Sequence, residues 1–412
     1  MPMKKKISLS TAVTLLILTA ALTISITMLV AMRYFNHQVH SVSQRQTMYE
    51  HINDVDKKVR EYYEDIDEES LRQAITKGYA TGLKDPYAAY YTPDEYNKEL
   101  LRLDGKANNV GLDVCLNALG NPVVCKVYSD SAASKAGVRV GDVLTAIDTV
   151  SVDGKSVSEL QNTMDTAAKV LLSVQRDGAT LAFDLSAYEY TVRSVLDTML
   201  DGDVGYVQVT AFYNNTPEQF RSTVSDLLNK GAVGLIFDLR NNRGGSSEAV
   251  QEVISYLMPL GMYGSLTDHT GVVTKLSASA NNQISVSTVT LVNERTAGEA
   301  EFFAGVLQEA SLTTVVGKTT AGKAKYQQLF PLELDHSALR LTVGEYGLLK
   351  GGSWQDVGIV PSVEIALSDT QAAIYRLLAP KEDVQVQVAL QQIVNSDANA
   401  LKNAQNDTAE EK

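Results

Sequence analysis

Cysteine is almost missing from this chain, with only Cys115 and Cys125 in 412 residues. Two thiols are too few for a thiolate zinc site or a disulfide framework. Histidine is scarce as well: five residues, of which His37, His40 and His51 lie close to the N-terminal apolar run. Neither G-x-S-x-G nor H-E-x-x-H occurs, which disfavours a Ser-His-Asp hydrolase and a zinc peptidase. Positive charge is in deficit, 36 Lys and Arg against 49 Asp and Glu, for a net charge of -13. The electrostatic footprint of a protein that grips phosphates is therefore absent, and nucleic acid is not an expected partner. Glycine and proline, at 27 and 9, are ordinary in number and exclude a collagen-like chain. What is present is a composition near globular averages, 44% hydrophobic and 21% charged, at a length that asks for two or three modules.

The longest uncharged stretch runs from Ile7 to Met32, 26 residues rich in Leu, Ile, Val, Ala and Thr. About 20 such residues cross a hydrocarbon core as a helix. The stretch exceeds the h-region of a cleaved signal peptide and lacks a small-x-small end, so it reads as an uncleaved anchor. Lys4, Lys5 and Lys6 face a lone Arg33 across it. By the positive-inside rule, residues 1–6 form a cytoplasmic stub and everything beyond 33 is extracytoplasmic. The expected localisation is a single-pass cell-membrane protein.

Apolar residues recur at three and four over 37–104, predicting a helical lead-in. After Gly105 short β-type runs follow, parted by turn signals such as Gly120-Asn121, and 105–187 is expected to be a mainly-β domain. Cys115 and Cys125 flank that turn almost symmetrically, leaving open either buried thiols or a cross-hairpin disulfide. From 188 to 366 strand patterns (204–209, 233–239) alternate with helical ones (217–229, 246–257), which predicts an α/β layer domain. Residues 367–395 return to helical spacing, and the polar stretch 396–412 is expected to be disordered.

Four segments resemble one family. Asp85-Pro-Tyr-Ala-Ala-Tyr-Tyr-Thr-Pro is similar to a helical lead-in motif. Val110-Gly-Leu-Asp-Val, followed by Ser131-Ala-Ala-Ser-Lys-Ala-Gly-Val-Arg-Val-Gly-Asp, is similar to a PDZ signature. Leu235-Ile-Phe-Asp-Leu-Arg-Asn-Asn-Arg-Gly-Gly resembles a D-L-R-x-N-P-G-G strand and turn, with Arg243 in place of the usual Pro. Thr288 to Glu309 aligns without gaps to V-L-V-N-x-x-(S/T)-A-S-A-(S/A)-E, and Val315 to Gln327 to a (V/L)-V-G-E-x-T-x-G-K-G-x-x-Q run. On these motifs the chain resembles the C-terminal processing, or tail-specific, peptidases, Ser-Lys serine peptidases with an embedded PDZ domain.

The resemblance implies an α/β peptidase core with an inserted PDZ domain. It also implies an oxyanion amide at Gly244, a general-base lysine at Lys323 and an orienting glutamine at Gln327. It puts Gly298 where the nucleophilic serine belongs. Serine is a weak nucleophile unless a base takes its proton, and a lysine amine does so only when burial leaves it neutral near pH 7. With glycine at 298 the first reactant is missing. Thr296, two residues upstream, and the helix-capping pair Ser246 and Ser247 are the remaining hydroxyls; Thr296 is displaced from the nucleophile position. The Gly317–Ala324 run imitates a phosphate loop but lacks the final hydroxyl. Asp238 and Arg240 are expected to pair structurally.

In the PDZ-like module the backbone of Gly111, Leu112, Asp113 and Val114 would receive a terminal carboxylate and an added strand. The expected partners are unstructured protein C-termini or peptides and, through 7–32, a membrane; self-association stays open, and no cofactor or metal is called for. Two functions follow: a tail-cutting peptidase disabled by Gly298, or a non-catalytic pseudopeptidase that binds tails as a scaffold. Protease added to intact protoplasts should digest everything after the anchor; full protection of the soluble part would reverse the topology.

Overall fold

The computed structural model describes residues 9–279 and 284–396, so the expected stub 1–6 and nearly all of the expected tail 396–412 lie outside the described residues. The chain separates into two compact units, 1–76 and 77–412. In the first, a single helix, Leu9–Tyr62, runs through both the expected anchor and the start of the expected lead-in. No glycine or proline interrupts these 54 residues, and nothing else in the local sequence would stop the helix. Its Val13–Arg33 window is apolar, wholly exposed and long enough to cross a membrane.

In the larger unit, the segment around Asp85 is only partly helical. Ala89–Tyr91 is a strand paired with Ala338–Leu348, and the helix Pro93–Leu103 begins after it. Thr92 and Glu95 form a reciprocal capping box there, with Pro93 at the first helical turn.

The mainly-β module is a sheet in the order Leu112–Leu116, Pro122–Val127, Val143–Ile147, Lys169–Arg176, Ala179–Ser186. Helix Val157–Thr166 lies beside the first strand, its Leu160 and Met164 buried with Leu112, Val114 and Leu172. The hairpin register pairs Cys115 with Val123, and Cys125 Sγ points at the Asp113 carbonyl, 3.6 Å away. The two cysteines are thiols, because Cys115 faces Val123 and not Cys125 across the hairpin, which denies a disulfide the geometry it would need.

The α/β domain has, among the described residues, a sheet ordered Val195–Leu200, Val204–Val209, Gly234–Asp238, Ser287–Val292, Thr314–Gly317, Val363–Glu364. The first pair is antiparallel and the others are parallel. All five residues of Gly234–Asp238 are buried, as expected of a parallel strand covered on both faces. Helices Thr216–Asn229, Ser247–Leu257 and Glu299–Glu309 pack on it through Phe220, Val253 and Phe303. The expected C-terminal helices reduce to a short Asp369–Ala373 helix, two single turns and a helix over 384–396; Pro380 opens the second of those turns.

Asp238 and Arg240 do pair, at 2.6 Å, and Arg240 also bonds Asp383 at 2.7 Å and Gln385 at 2.8 Å. All four side chains are almost wholly buried. This knot ties the end of a central strand to the C-terminal segment. Removing one partner of such a network leaves unmatched buried charge, a loss of about 3–5 kcal/mol. Arg240→Leu should therefore lower the thermal unfolding midpoint sharply, whereas Arg221→Leu, which breaks the exposed Arg221–Glu252 pair, should leave it nearly unchanged.

Candidate active site

Three loops leave the carboxyl ends of three neighbouring parallel strands: 239–246 after Gly234–Asp238, 293–298 after Ser287–Val292, and 318–324 after Thr314–Gly317. Open α/β sheets place their sites at such ends. The loops are stitched together by backbone and side-chain bonds. Ala297 N donates to Asn242 O at 2.9 Å, Asn241 N to Asn293 Oδ1 at 2.9 Å, and Ala321 N to Thr296 O at 3.0 Å. The hydroxyl of Thr296 is fully buried, donates to Leu239 O at 2.9 Å and accepts from Asn293 N at 3.0 Å. Thr296 is a splint between loops. Ser246 caps the next helix by accepting from Ala249 N, and Ser247 Oγ bonds the Tyr346 hydroxyl at 2.7 Å.

Gly298 ends the second loop and caps helix Glu299–Glu309, with φ 64° and ψ -124°. Few L-residues adopt that conformation without strain, so a side chain here would be held in an unusual direction. A Cβ built on Gly298 would lie 3.8 Å from Lys323 Nζ and 3.6 Å from Arg243 O, ordinary contact distances that leave the place sterically open. The third loop brings Lys323 to it. Lys323 Nζ sits 4.9 Å from the centroid of the Tyr87 ring. Burial pushes its pKa below the ordinary lysine value, with the nearby Glu299 charge opposing and Arg340 assisting.

The link between the two loops is Glu301. Its fully buried carboxylate accepts from Gly298 N at 2.9 Å, Gly322 N at 2.7 Å, Lys323 N at 2.7 Å and Thr320 Oγ1 at 2.5 Å. One side chain thus holds position 298 and the lysine loop in a fixed relation. In the sequence Glu301 is visible only as the last letter of a motif; its first-turn position at a helix start is the local signal for the bond to Gly298 N.

Two of the expected roles meet a different geometry. Gln327 lines the same cavity of about 940 Å³, but its Nε2 donates to Lys325 O at 3.0 Å and reaches Thr342 Oγ1 at 3.5 Å. The expected hold on the Lys323 amine is not made. Gly244 stands beside the helix start, with φ 92°, yet its N–H donates to Asn242 Oδ1 at 2.8 Å and is already engaged. Beside it lies Glu299, a residue unread as functional in the sequence, although it stands where the resembled motif has alanine. Its buried carboxylate takes the Gly245 N–H at 3.0 Å and the Tyr346 hydroxyl at 3.1 Å, and any Cβ on Gly244 would collide with it. A side-chain carboxylate of the protein itself therefore fills the turn for which the resemblance implies an oxyanion amide.

The phosphate-loop alternative fails on structure too, since Gly317–Ala324 opens onto strand Lys325–Pro331 and not a helix. In the PDZ-like module, Gly111 has φ 81° and a Cβ there would collide with Ser131, so both backbone and space call for glycine. Its N–H donates to Asn109 Oδ1 at 2.9 Å, and Val114 N–H donates to Gln161 Oε1 at 2.8 Å. Asp113 turns its carboxylate to the Tyr128 hydroxyl, 3.2 Å away.

Glu301→Ala would leave several buried donors without an acceptor, each costing about 1–3 kcal/mol. It should lower the unfolding midpoint and open residues 318–325 to trypsin at Lys318, Lys323 and Lys325, read by limited proteolysis. An unchanged cleavage pattern would show that the carboxylate does not fasten the loop.

Residues 203–365 match Peptidase family S41, and residues 123–176 match the PDZ domain. The carboxy-terminal processing protease CtpA of Bacillus subtilis is 28% identical over 336 residues, covering 80% of this chain and 71% of that protein. The carboxyl-terminal-processing protease of Synechocystis is 27% identical over 345 residues, covering 82% and 80%. A putative S41 protease structure from Bacteroides fragilis superposes with a TM-score of 0.56 at 17% identity, over 77% of this chain and 90% of that one, a likeness of fold. The three loops and the edge-strand module thus belong to a Peptidase family S41 domain and a PDZ domain, in a chain whose homologues are C-terminal processing serine peptidases.

Proposed function

We propose that this chain is a membrane-anchored, extracytoplasmic C-terminal processing peptidase-like protein that captures protein C-termini through its PDZ domain and whose cleavage is disabled at Gly298. The apolar Val13–Arg33 helix supports the anchor, and the three lysines before it support the orientation. The observation that carries the catalytic part is the 3.8 Å between a Cβ at Gly298 and Lys323 Nζ.

A serine at 298 would have its hydroxyl one bond beyond that Cβ, within reach of the amine. Neutral Lys323 would take the hydroxyl proton as Oγ attacks the scissile carbonyl, then pass it to the leaving amine; water would release the acyl group by the same route. The developing oxyanion would need a backbone donor. The N–H of Glu299, first in its helix, has no intrahelical acceptor and would serve as that donor. Glycine at 298 removes the nucleophile, and the Glu299 carboxylate occupies the Gly245 amide. That carboxylate favours the second reading, a pseudopeptidase that holds tails as a scaffold.

The test is gain of function. The natural chain should give no acyl-enzyme with serine-directed reagents and only background cleavage of an unstructured protein with an apolar C-terminus. Gly298→Ser should introduce cleavage, and adding Glu299→Ala should raise it further, by about 10²-fold, the scale of one oxyanion donor. Lys323→Ala in the same background should abolish it. The restored rate should rise with pH as Lys323 loses its proton, with a midpoint below 10.5, the unperturbed lysine value. Normal cleavage by the unmodified chain that survives Lys323→Ala would overturn the assignment.

A further inference from the structure

An added peptide strand needs the outward N–H and C=O groups of the edge it joins. In the PDZ domain that edge is Leu112–Leu116, whose other side is paired with Pro122–Val127. Leu112 and Val114, two apart, present their backbone groups to the same side, toward helix Val157–Thr166. There the Gln161 side chain makes both halves of a peptide unit's contacts. Its Oε1 accepts from Val114 N–H at 2.8 Å, and its Nε2 donates to Leu112 O at 3.2 Å.

Gln161 is itself held. Its Nε2 also donates to Asp165 Oδ1 at 3.0 Å, and the same oxygen accepts from Asn109 Nδ2 at 3.2 Å. Asn109 Oδ1 in turn takes the Gly111 N–H at 2.9 Å and the Tyr190 hydroxyl at 2.8 Å. A strap of side chains therefore runs from Tyr190 through Asn109 and Asp165 to Gln161, over the Gly111–Val114 part of that edge.

We propose that Gln161 is an internal competitor for the PDZ groove: its carboxamide closes the Leu112–Val114 edge by imitating a ligand's peptide group, and a C-terminal tail binds only by displacing it. This rests on the PDZ reading of peptide capture. A tail must exchange its own amide for that of Gln161, so the groove gains only the surplus of its contacts over those the strap already makes. Tails with strong apolar or carboxylate contacts pass that threshold, and weaker ones do not. Gln161 thus sets selectivity while touching no reacting atom.

The test uses the full chain in detergent and a fluorescent unstructured peptide ending Leu-Ala-Ala with a free carboxylate. Affinity is read by anisotropy, and exchange of the Val114 amide is followed in parallel. Gln161→Ala should bind about tenfold more tightly than the natural chain, equal to about 1.4 kcal/mol. Without peptide its Val114 amide should exchange faster than in the natural chain, and peptide should slow it again. Asn162→Ala, one residue along and exposed, should change neither quantity. Equal or weaker binding by Gln161→Ala, when the natural chain does bind, would overturn the competitor role. An unchanged Val114 exchange rate in Gln161→Ala would overturn the closure itself. Absence of binding by both chains, with Val114 exchange still accelerated in Gln161→Ala, would overturn tail capture and with it the competitor role, while the closed edge stood.

Discussion

The arrangement of the peptidase site hangs on the Glu301 carboxylate. Two loops that are more than 20 residues apart in sequence have no covalent reason to keep position 298 and Lys323 in register. Glu301 supplies one by accepting from the backbone of both, and from Thr320 as well. An ionised carboxylate in a dry interior is stable only when its lone pairs are matched, and here four donors match them. The helix that carries Glu301 is locked in turn, every residue from Glu299 to Leu307 being buried. Phe302 stacks on Tyr346 at 4.6 Å between ring centroids and lies beside Trp354. The charge is thereby fixed by packing as well as by hydrogen bonds.

Against that rigid frame the two departures at 298 and 299 act on one small volume. Gly298 keeps the left-handed turn that would aim a side chain at Lys323, yet carries none. Glu299 then turns its carboxylate into the glycine turn, where Gly245 N–H and Tyr346 O–H receive it. Its charge raises the Lys323 pKa, against the burial that lowers it. Position 298, the Gly244-Gly245 turn and the Lys323 amine thus share one small volume.

The PDZ domain treats its binding edge by a similar economy of unpaired groups. Exposed strand edges invite unwanted pairing, and proteins cover them with charges, bulges or neighbouring elements. Here a single glutamine covers the edge from a helix already anchored by Leu160 and Met164. In both domains, then, a side chain of the protein itself takes a strand or loop N–H, Glu299 that of Gly245 and Gln161 that of Val114.

Much of this was determined by local sequence. The uncharged run 7–32, the strand and helix alternation of 188–366, the PDZ-like turn chemistry and the spacing from 298 to 323 are all properties of neighbouring residues, and periodicity or motif order reports them directly. The Asp238–Arg240 pair was legible for the same reason, two residues apart at a strand end. Other features were decided only by tertiary structure. The extended Ala89–Tyr91 segment is a strand because it finds pairing partners in Ala338–Leu348, some 250 positions away in the sequence, as the register of Tyr90 with Leu339 records. Gln327 turned to Lys325 and Thr342, and Gly244 N–H to Asn242, acceptors that the fold brings within bonding distance and that motif order does not report. Gln161 reaches a strand 47 residues earlier, and Glu299 a turn 54 residues earlier. A hydrogen bond is satisfied by whichever group the fold brings within about 3 Å, and that choice is written in the packing of the chain and not in its order.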